Sequence, residues 1–280
     1  MKDTKGNLAM RKNEIVKELE KIGLQAEWQT VNKNGVLHTG IVIVSQVGKV
    51  APIIYTDGLV KDTDSLDMAV NKILAQYQKV RSTSIDADKI TSRDYVLEHI
   101  TIAVQKDGIE KIVKRESGLD GIEAYLVVMD SSFEDGNMSM KVTANLLLKA
   151  CISEPEAWKR AEQNLHKSVR IQSMAEVMTE IMGEEFVELC GVDDRMYIIS
   201  NKSKIKGASA ILDKETMEEF AKQHNTKRIA VLPSSVHEML LVPETSIFDE
   251  EALSNMVRDV NTSEVVPEER LTDRAYILNF

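Results

Sequence analysis

Two cysteines, Cys151 and Cys190, are the only thiols in a chain of 280 residues. Neither sits in a CxxC pair, and two cannot build the dense, even framework of a disulfide scaffold, so a reducing cytoplasm is the expected setting. Long apolar runs are missing as well. No stretch approaches the roughly 20 apolar residues that span a bilayer. The opening MKDTKGNLAMRKNEI has no apolar centre of the secretion-signal kind. A soluble cytoplasmic protein that does not meet a membrane is expected, and Met10 is a candidate start of a shorter form.

Positive charge is in deficit: 35 Lys and Arg stand against 45 Asp and Glu, a formal net charge of −10. A protein held on nucleic acid by phosphate contacts needs a basic face, so direct nucleic-acid binding is not expected from the average charge. Aromatic residues make up only 5% of the chain, and Trp28, Trp158 and the six tyrosines are too dispersed for a base-stacking platform. The glycines form neither GxGxxG nor GxxxxGK[ST], which argues against a nucleotide cradle. The histidines His38, His99, His166, His224 and His237 are scattered, with no pair at the i, i+4 spacing that puts two imidazoles on one helix face. No cofactor and no metal site is therefore expected.

What is present is alternating secondary-structure signal. MRKNEIVKELEKIGL, from Met10, places Ile15, Leu19 and Ile22 on one helical face with Gly23 beyond as a stop. Asn34-Gly35 between AEWQTV and LHTGIVIV is a hairpin cue, because both residues tolerate positive φ. APIIY adds a strand, and SLDMAVNKILAQYQKV a helix with Leu66, Ala69, Val70, Ile73, Leu74 and Tyr77 on its inner face. The division expected is a flexible tail at 1–9, a helix/hairpin/helix unit at 10–80, a linker at 81–94 and a sheet-and-helix domain at 95–280.

Within the last segment LEHITIAV and GIEAYLVVMD read as strands around a short helix at Glu110 to Lys114. Ser153 before Pro155 reads as a helix start. MAEVMTEIM reads as a helix whose Met174, Met178 and Met182 form a core stripe. From Met196 onward the order strand, strand (ASAIL), helix, strand, strand, helix, strand predicts an α+β fold. Its sheets are mixed or antiparallel, with helices packed on them. VTANLLLKACISEPEAWKRAEQN echoes ASAILDKETMEEFAKQHN, a candidate internal duplication without the fixed period of a solenoid.

The densest chemistry is PSSVHE, Pro233 to Glu238, between Val231-Leu232 and Met239-Leu240-Leu241-Val242. Ser235 to Glu238 would spell a capping box on a helix, but Pro243 and the β-like RIAVL favour extended segments meeting at a polar corner. Ser234 or Ser235 with His237 is a candidate catalytic pair. It lacks an orienting carboxylate, which Glu238, pointing away, cannot supply. The alternative is that the serines satisfy turn backbone and His237 holds the bend. Asp193-Asp194 and Asp249-Glu250-Glu251 suit turns and helix starts better than a cation site. The acids from Phe248 onward read as a solvated face, or as a surface that steers a basic partner.

KNGVLHTGIVI with PIIY, VTANLL, GASAIL, VLPSSVHEMLLVP and the closing VNTSEVVPEERLTDRAYIL resemble, across most of the chain, an uncharacterised bacterial family known only as a domain of unknown function. The most specific piece is PSSVHE with Asn261, Pro267-Glu268-Glu269 and Leu271-Thr272-Asp273. LTD stands where the family is expected to show LSD, and KNG where it often shows a doubled asparagine. The resemblance implies a small cytoplasmic protein, found in bacteria rich in mobile elements, with no established activity. It marks Pro233, Ser234, Ser235, His237 and Glu238 as a signature without assigning them a role.

Three functions stay open on these grounds. The first is a non-enzymatic binding or protein-interaction module, with another protein as partner and the PSSVHE corner as contact. The second is a hydrolase-like enzyme using Ser234 or Ser235 with His237. The third is an acidic mimic of nucleic acid that inhibits a DNA-binding protein. Substrate and oligomeric state are not encoded in any motif.

Overall fold

The computed structural model describes residues 4–44, 53–81, 86–132, 138–183, 195–244 and 249–280. The chain divides into two compact units, Met1–Thr91 and Ser92–Phe280.

In the first unit, helix α1 (Thr4–Lys21) precedes strands β1 (Gln25–Lys33), β2 (Val36–Val44) and β3 (Ile53–Tyr55), followed by α2 (Leu66–Arg81) and the single turn α3 (Ala87–Ile90). Residues 4–9, expected as a tail, are helical. The helix stops where Gly23 adopts φ +82, with Gly23 N–H on the Glu20 carbonyl (2.9 Å) and Leu24 N–H on that of Leu19 (3.0 Å). This paired closure is the Schellman form of helix ending. It leaves Ile22 past the last helical residue and 58% exposed, so Ile22 does not join the inner face expected for it. Asn34 and Gly35 form a two-residue turn between the paired Lys33 and Val36, both with positive φ, as a right-twisted hairpin requires. Ile15 and Leu19 of α1 and Ala69, Val70, Ile73 and Tyr77 of α2 bury themselves on Ile41, Ile43 and Ile54 of the sheet.

The second unit opens with α4 (Arg93–His99), whose cap Ser92 accepts the Tyr95 N–H. Strands β4 (Ile100–Lys106), β5 (Lys114–Glu116), β6 (Ile122–Asp130) and β7 (Met138–Lys141) follow. Then come α5 (Ala144–Lys149), α6 (Glu154–Ser168), β8 (Val169–Ser173), α7 (Met174–Met182), β9 (Tyr197–Asn201) and a 3-10 segment, Gly207–Leu212. Helix α8 (Lys214–Gln223), β10 (Arg228–Pro233), β11 (Met239–Pro243), α9 (Glu250–Ser263) and β12 (Tyr276–Asn279) complete it. β6 pairs with β4 on one side and with β5 and β7 on the other. A five-stranded sheet has the order β12-β10-β11-β9-β8. Every described pairing is antiparallel, so the fold is α+β.

Alternation sorts the five-stranded sheet into two apolar faces. Ile199, Ile229, Val231, Met239 and Leu241 pack with Met217, Phe220 and Ala221 of α8 and with the 3-10 segment. Ala230 and Leu232 turn the other way, onto Val257 of α9. The β6 sheet instead carries polar groups on one face. Gln105 and Glu123, both buried, face each other across the ladder. Gln105 Nε2 donates to Glu123 (2.7 Å) and Glu110 (2.9 Å), Lys114 Nζ meets Glu123 (2.7 Å), and Lys141 Nζ donates to Gln105 (2.9 Å) and Glu110 (2.5 Å). A buried ion such as Glu123 persists because it is paired and hydrogen-bonded, here by the half-buried Lys114 and by Gln105.

Three expectations are corrected. Residues 110–113 are not helical and Lys114 opens β5, since Glu110 and Lys114 are held in the network just described. ASAIL is not a strand. Lys206, at φ +52, turns the chain, and the small residues Gly207 to Ala210 are buried in a 3-10 turn from which Ser209 Oγ donates to the Ile102 carbonyl (2.6 Å). The methionines of α7 are not a core stripe, for α7 has no buried residue and Met182 is half exposed. That helix leaves directly from β8, which is the edge of its sheet among the described strands.

Gly207 sits where the backbone approaches closest. A Cβ there would lie 2.5 Å from Asn201 N and 2.8 Å from the His237 carbonyl oxygen, and would collide with Ser200 Oγ. Two of the three atoms are backbone. Gly207→Val should therefore lower the urea-unfolding free energy by about 3 kcal/mol or prevent folding, read against Gly118→Ala, where no neighbour stands within 4 Å but φ is positive.

Candidate functional site

Pro233 of β10 pairs with Met239 of β11, so residues 234–238 are the connection of a hairpin. The connection is closed from within. Ser235 N–H donates to the Glu238 carbonyl (3.1 Å), and Ser235 Oγ accepts the His237 backbone N–H (3.0 Å). Such local hydroxyl bonds are what serine supplies in turns.

It is also tied to three other segments. Val236 is buried, its N–H on the Glu269 carbonyl (2.8 Å) and its carbonyl taking the Ala208 N–H (3.3 Å). The His237 carbonyl accepts Ser200 Oγ from β9 (2.7 Å). In the His237 ring, Nδ1 receives the Lys206 backbone N–H (3.2 Å) and Nε2 stands 3.4 Å from Glu269 Oε1. An accepting Nδ1 places the proton of the neutral ring on Nε2, toward the carboxylate. Beyond Glu269 the chain is held by Asn261, itself buried, whose Nδ2 bonds the Thr272 carbonyl (3.0 Å) and Asp273 (2.8 Å).

The structure therefore gathers Ser235, His237 and Glu269, but not as a nucleophile and its base. Among the described residues no hydrogen bond joins a serine hydroxyl to the imidazole, whose ring faces Lys206 N–H and Glu269 instead. A base must offer a free lone pair to the hydroxyl it activates. Glu269 is the partner that spacing could not disclose, 32 positions beyond His237. PSSVHE lines neither of the two cavities characterised in this unit.

A second buried cluster stands at the far end of β6. Tyr95 Oη donates to Asp130 Oδ2 (2.6 Å), His99 stacks on Tyr95 with ring centroids 4.1 Å apart, and His99 Nε2 lies 3.6 Å from Asp130. Burial alone would raise the Asp130 pKa, but hydrogen bonds from Ser132 and Tyr95 and the nearby His99 outweigh it and bring it down to about 2. His166, at the end of α6, bonds Asp213 (2.7 Å), which raises its pKa above the ordinary value.

The larger cavity, about 1410 Å³, is a groove between the β5 end, α6, α8 and β12. Ile102, Leu165, Ile211, Met217 and Leu278 contribute apolar lining, and the charges are of both signs, with Arg115, Lys214, Lys222 and Lys227 beside Glu116, Glu162, Asp213, Glu215 and Glu218. The smaller, about 260 Å³, lies between β8, α7, β9 and α8. Asp249 caps α9 through the Ala252 N–H (3.0 Å), and Cys151 is exposed. Asp193, Asp194 and Cys190 fall outside the described residues. Among those described, no group of three or more His, Cys, Asp or Glu could hold a metal ion, and no helix is long and apolar enough to cross a membrane.

These features define an α+β protein in which the side chains of Ser235 and His237 accept backbone N–H groups. Residues 9–279 match the model of a family of unknown function, DUF5688, and the chain belongs to that family. No curated protein and no solved structure matches it.

Two outcomes follow from the geometry. His237→Ala should stay folded yet lose about 1–3 kcal/mol in urea titration, since it strands the Lys206 N–H. Asp130 has a depressed folded pKa, so its stabilisation is complete above the unfolded value of 3.8 and is lost as pH falls through about 2. Asp130→Asn should thus cost about 2 kcal/mol at pH 7 and about half that near pH 3, measured by urea unfolding at both values.

Proposed function

We propose that this protein is a cytoplasmic, non-enzymatic binding module that takes up an extended segment of another protein along the groove beside β12. The observation that carries the reading is a groove of about 1410 Å³ at a sheet edge. That volume exceeds the roughly 300–1,000 Å³ of small-molecule pockets and suits a length of polypeptide.

β12 pairs with β10 alone among the described strands. Phe280 N–H bonds the Lys227 carbonyl (2.9 Å), and the antiparallel register then turns the N–H and C=O of Asn279 away from β10. An extended chain can add to such an edge through its own backbone, while alternate side chains enter the groove. Lys214, Lys222 and Lys227 form no ion pair with a described residue. Glu162 is paired with Arg115 and Asp213 with His166, so the segment is expected to place a carboxylate opposite Lys222 and apolar residues between, clear of Glu215 and Glu218 on the same wall.

This reading leaves PSSVHE with an architectural role, supported by the engagement of both His237 ring nitrogens. Asn279→Pro removes an edge N–H that β10 does not use, and should leave the melting temperature within a few degrees. A random-peptide display library selected on the wild type should yield apolar-acidic sequences that bind both Asn279→Pro and Lys222→Glu at least tenfold more weakly. Absence of enrichment, or binders indifferent to both changes, overturns the proposal.

A further inference from the structure

We propose that the smaller cavity, at the opposite edge of the five-stranded sheet, is a binding site for a guanidinium group such as an arginine side chain. It shares no lining residue with the larger groove, α8 giving different residues to each, and it stands or falls separately from the reading above.

Three rings meet at this cavity. The centroids of Tyr197 and Phe220 are 5.0 Å apart, those of Tyr197 and His224 4.6 Å, and those of Phe220 and His224 4.4 Å. Their planes are inclined by 78°, 62° and 49° respectively, so the rings make angled walls and not a closed stack. Val169, Ile171 and Ser173, at alternate positions of β8, line it on one side.

The charge of the lining has one sign. Glu176, from the first turn of α7, and Glu219, from α8, both line the cavity, and among the described residues no lysine or arginine does. One oxygen of Glu176 takes the Ser173 N–H of the capping box (2.8 Å), which holds that carboxylate at the rim. Burial lowers the pKa of His224, so its ring is uncharged at neutral pH and does not repel a cation.

Aromatic faces attract cations, and carboxylates beside them strengthen that attraction. The choice among cations follows from the acceptors. Besides the two carboxylates, Thr216 and Gln223 present side-chain oxygens. A guanidinium is planar, lies flat on a ring and directs five N–H groups outward in its own plane. A quaternary ammonium would satisfy the rings and leave every acceptor unmatched. A volume of about 260 Å³ admits one such group and little more.

The test uses the full-length protein and N-acetyl-L-arginine methylamide, followed by NMR of the His224 and Tyr197 ring signals. Saturable shifts are expected. The citrulline counterpart, neutral and of nearly the same shape, should bind at least tenfold more weakly, and Glu219→Gln should weaken the arginine compound at least fivefold. Glu219 is exposed on α8, so this variant is expected to fold. The proposal is overturned by the lack of saturation, by equal binding of the citrulline compound, by an unchanged affinity in Glu219→Gln, or by tetramethylammonium binding more tightly than the arginine compound.

Discussion

The architecture of residues 92–280 depends on a missing methyl group. Because Gly207 has no Cβ, the 3-10 segment can press its backbone against Asn201 and the His237 carbonyl, within a distance that no other residue allows. From that position its neighbours reach in two directions. Ala208 N–H bonds the Val236 carbonyl of the hairpin connection, and Ser209 Oγ bonds the Ile102 carbonyl of β4. One short turn thereby joins the β6 sheet to the five-stranded sheet. The two sheets share the apolar cluster that runs from Val104 and Ile122 to Ile229 and Met239.

At this joint Ser235 and His237, two of the reactive groups that PSSVHE gathers along the chain, are turned to backbone N–H groups. Hydroxyls, an imidazole and a carboxylate are the groups needed to catalyse a reaction, and they are equally the groups needed to satisfy a bend whose backbone is turned away from any ladder. The segments most distinctive in the sequence, GASAIL, PSSVHE and the stretch around Glu269, converge here on one another's backbone. The two cavities lie elsewhere, at the edges of the five-stranded sheet, and are lined by residues that form no motif.

How much could be read beforehand differs by the range of the interaction responsible. Elements fixed by neighbours in sequence were legible: the Asn34-Gly35 hairpin, the inner face of α2 from Ala69 to Tyr77, and the Ser153 cap of α6. ASAIL misled because its apolar residues suit a strand, and only the distant Ser200 and Ile102 make a tight turn the better solution. The α7 methionines have the spacing of a buried face, but a face is buried only if something lies opposite. Glu269 could be suspected from its association with PSSVHE, and no local pattern pointed to its carboxylate meeting the ring.

The ionic face of the β6 sheet has a consequence for how its strands find their alignment. Sliding β4 by one position against β6 would bring Gln105 round to the side of Ile102 and Val104, and Glu123 would lose the amide that neutralises its demand for donors. An alignment error in a uniformly greasy ladder costs only contacts, which neighbouring methyls partly replace. Here it would take from Glu123 one of its two partners, leaving only Lys114, and set the Gln105 amide among apolar side chains, so the sheet rejects near misses that an apolar face would tolerate.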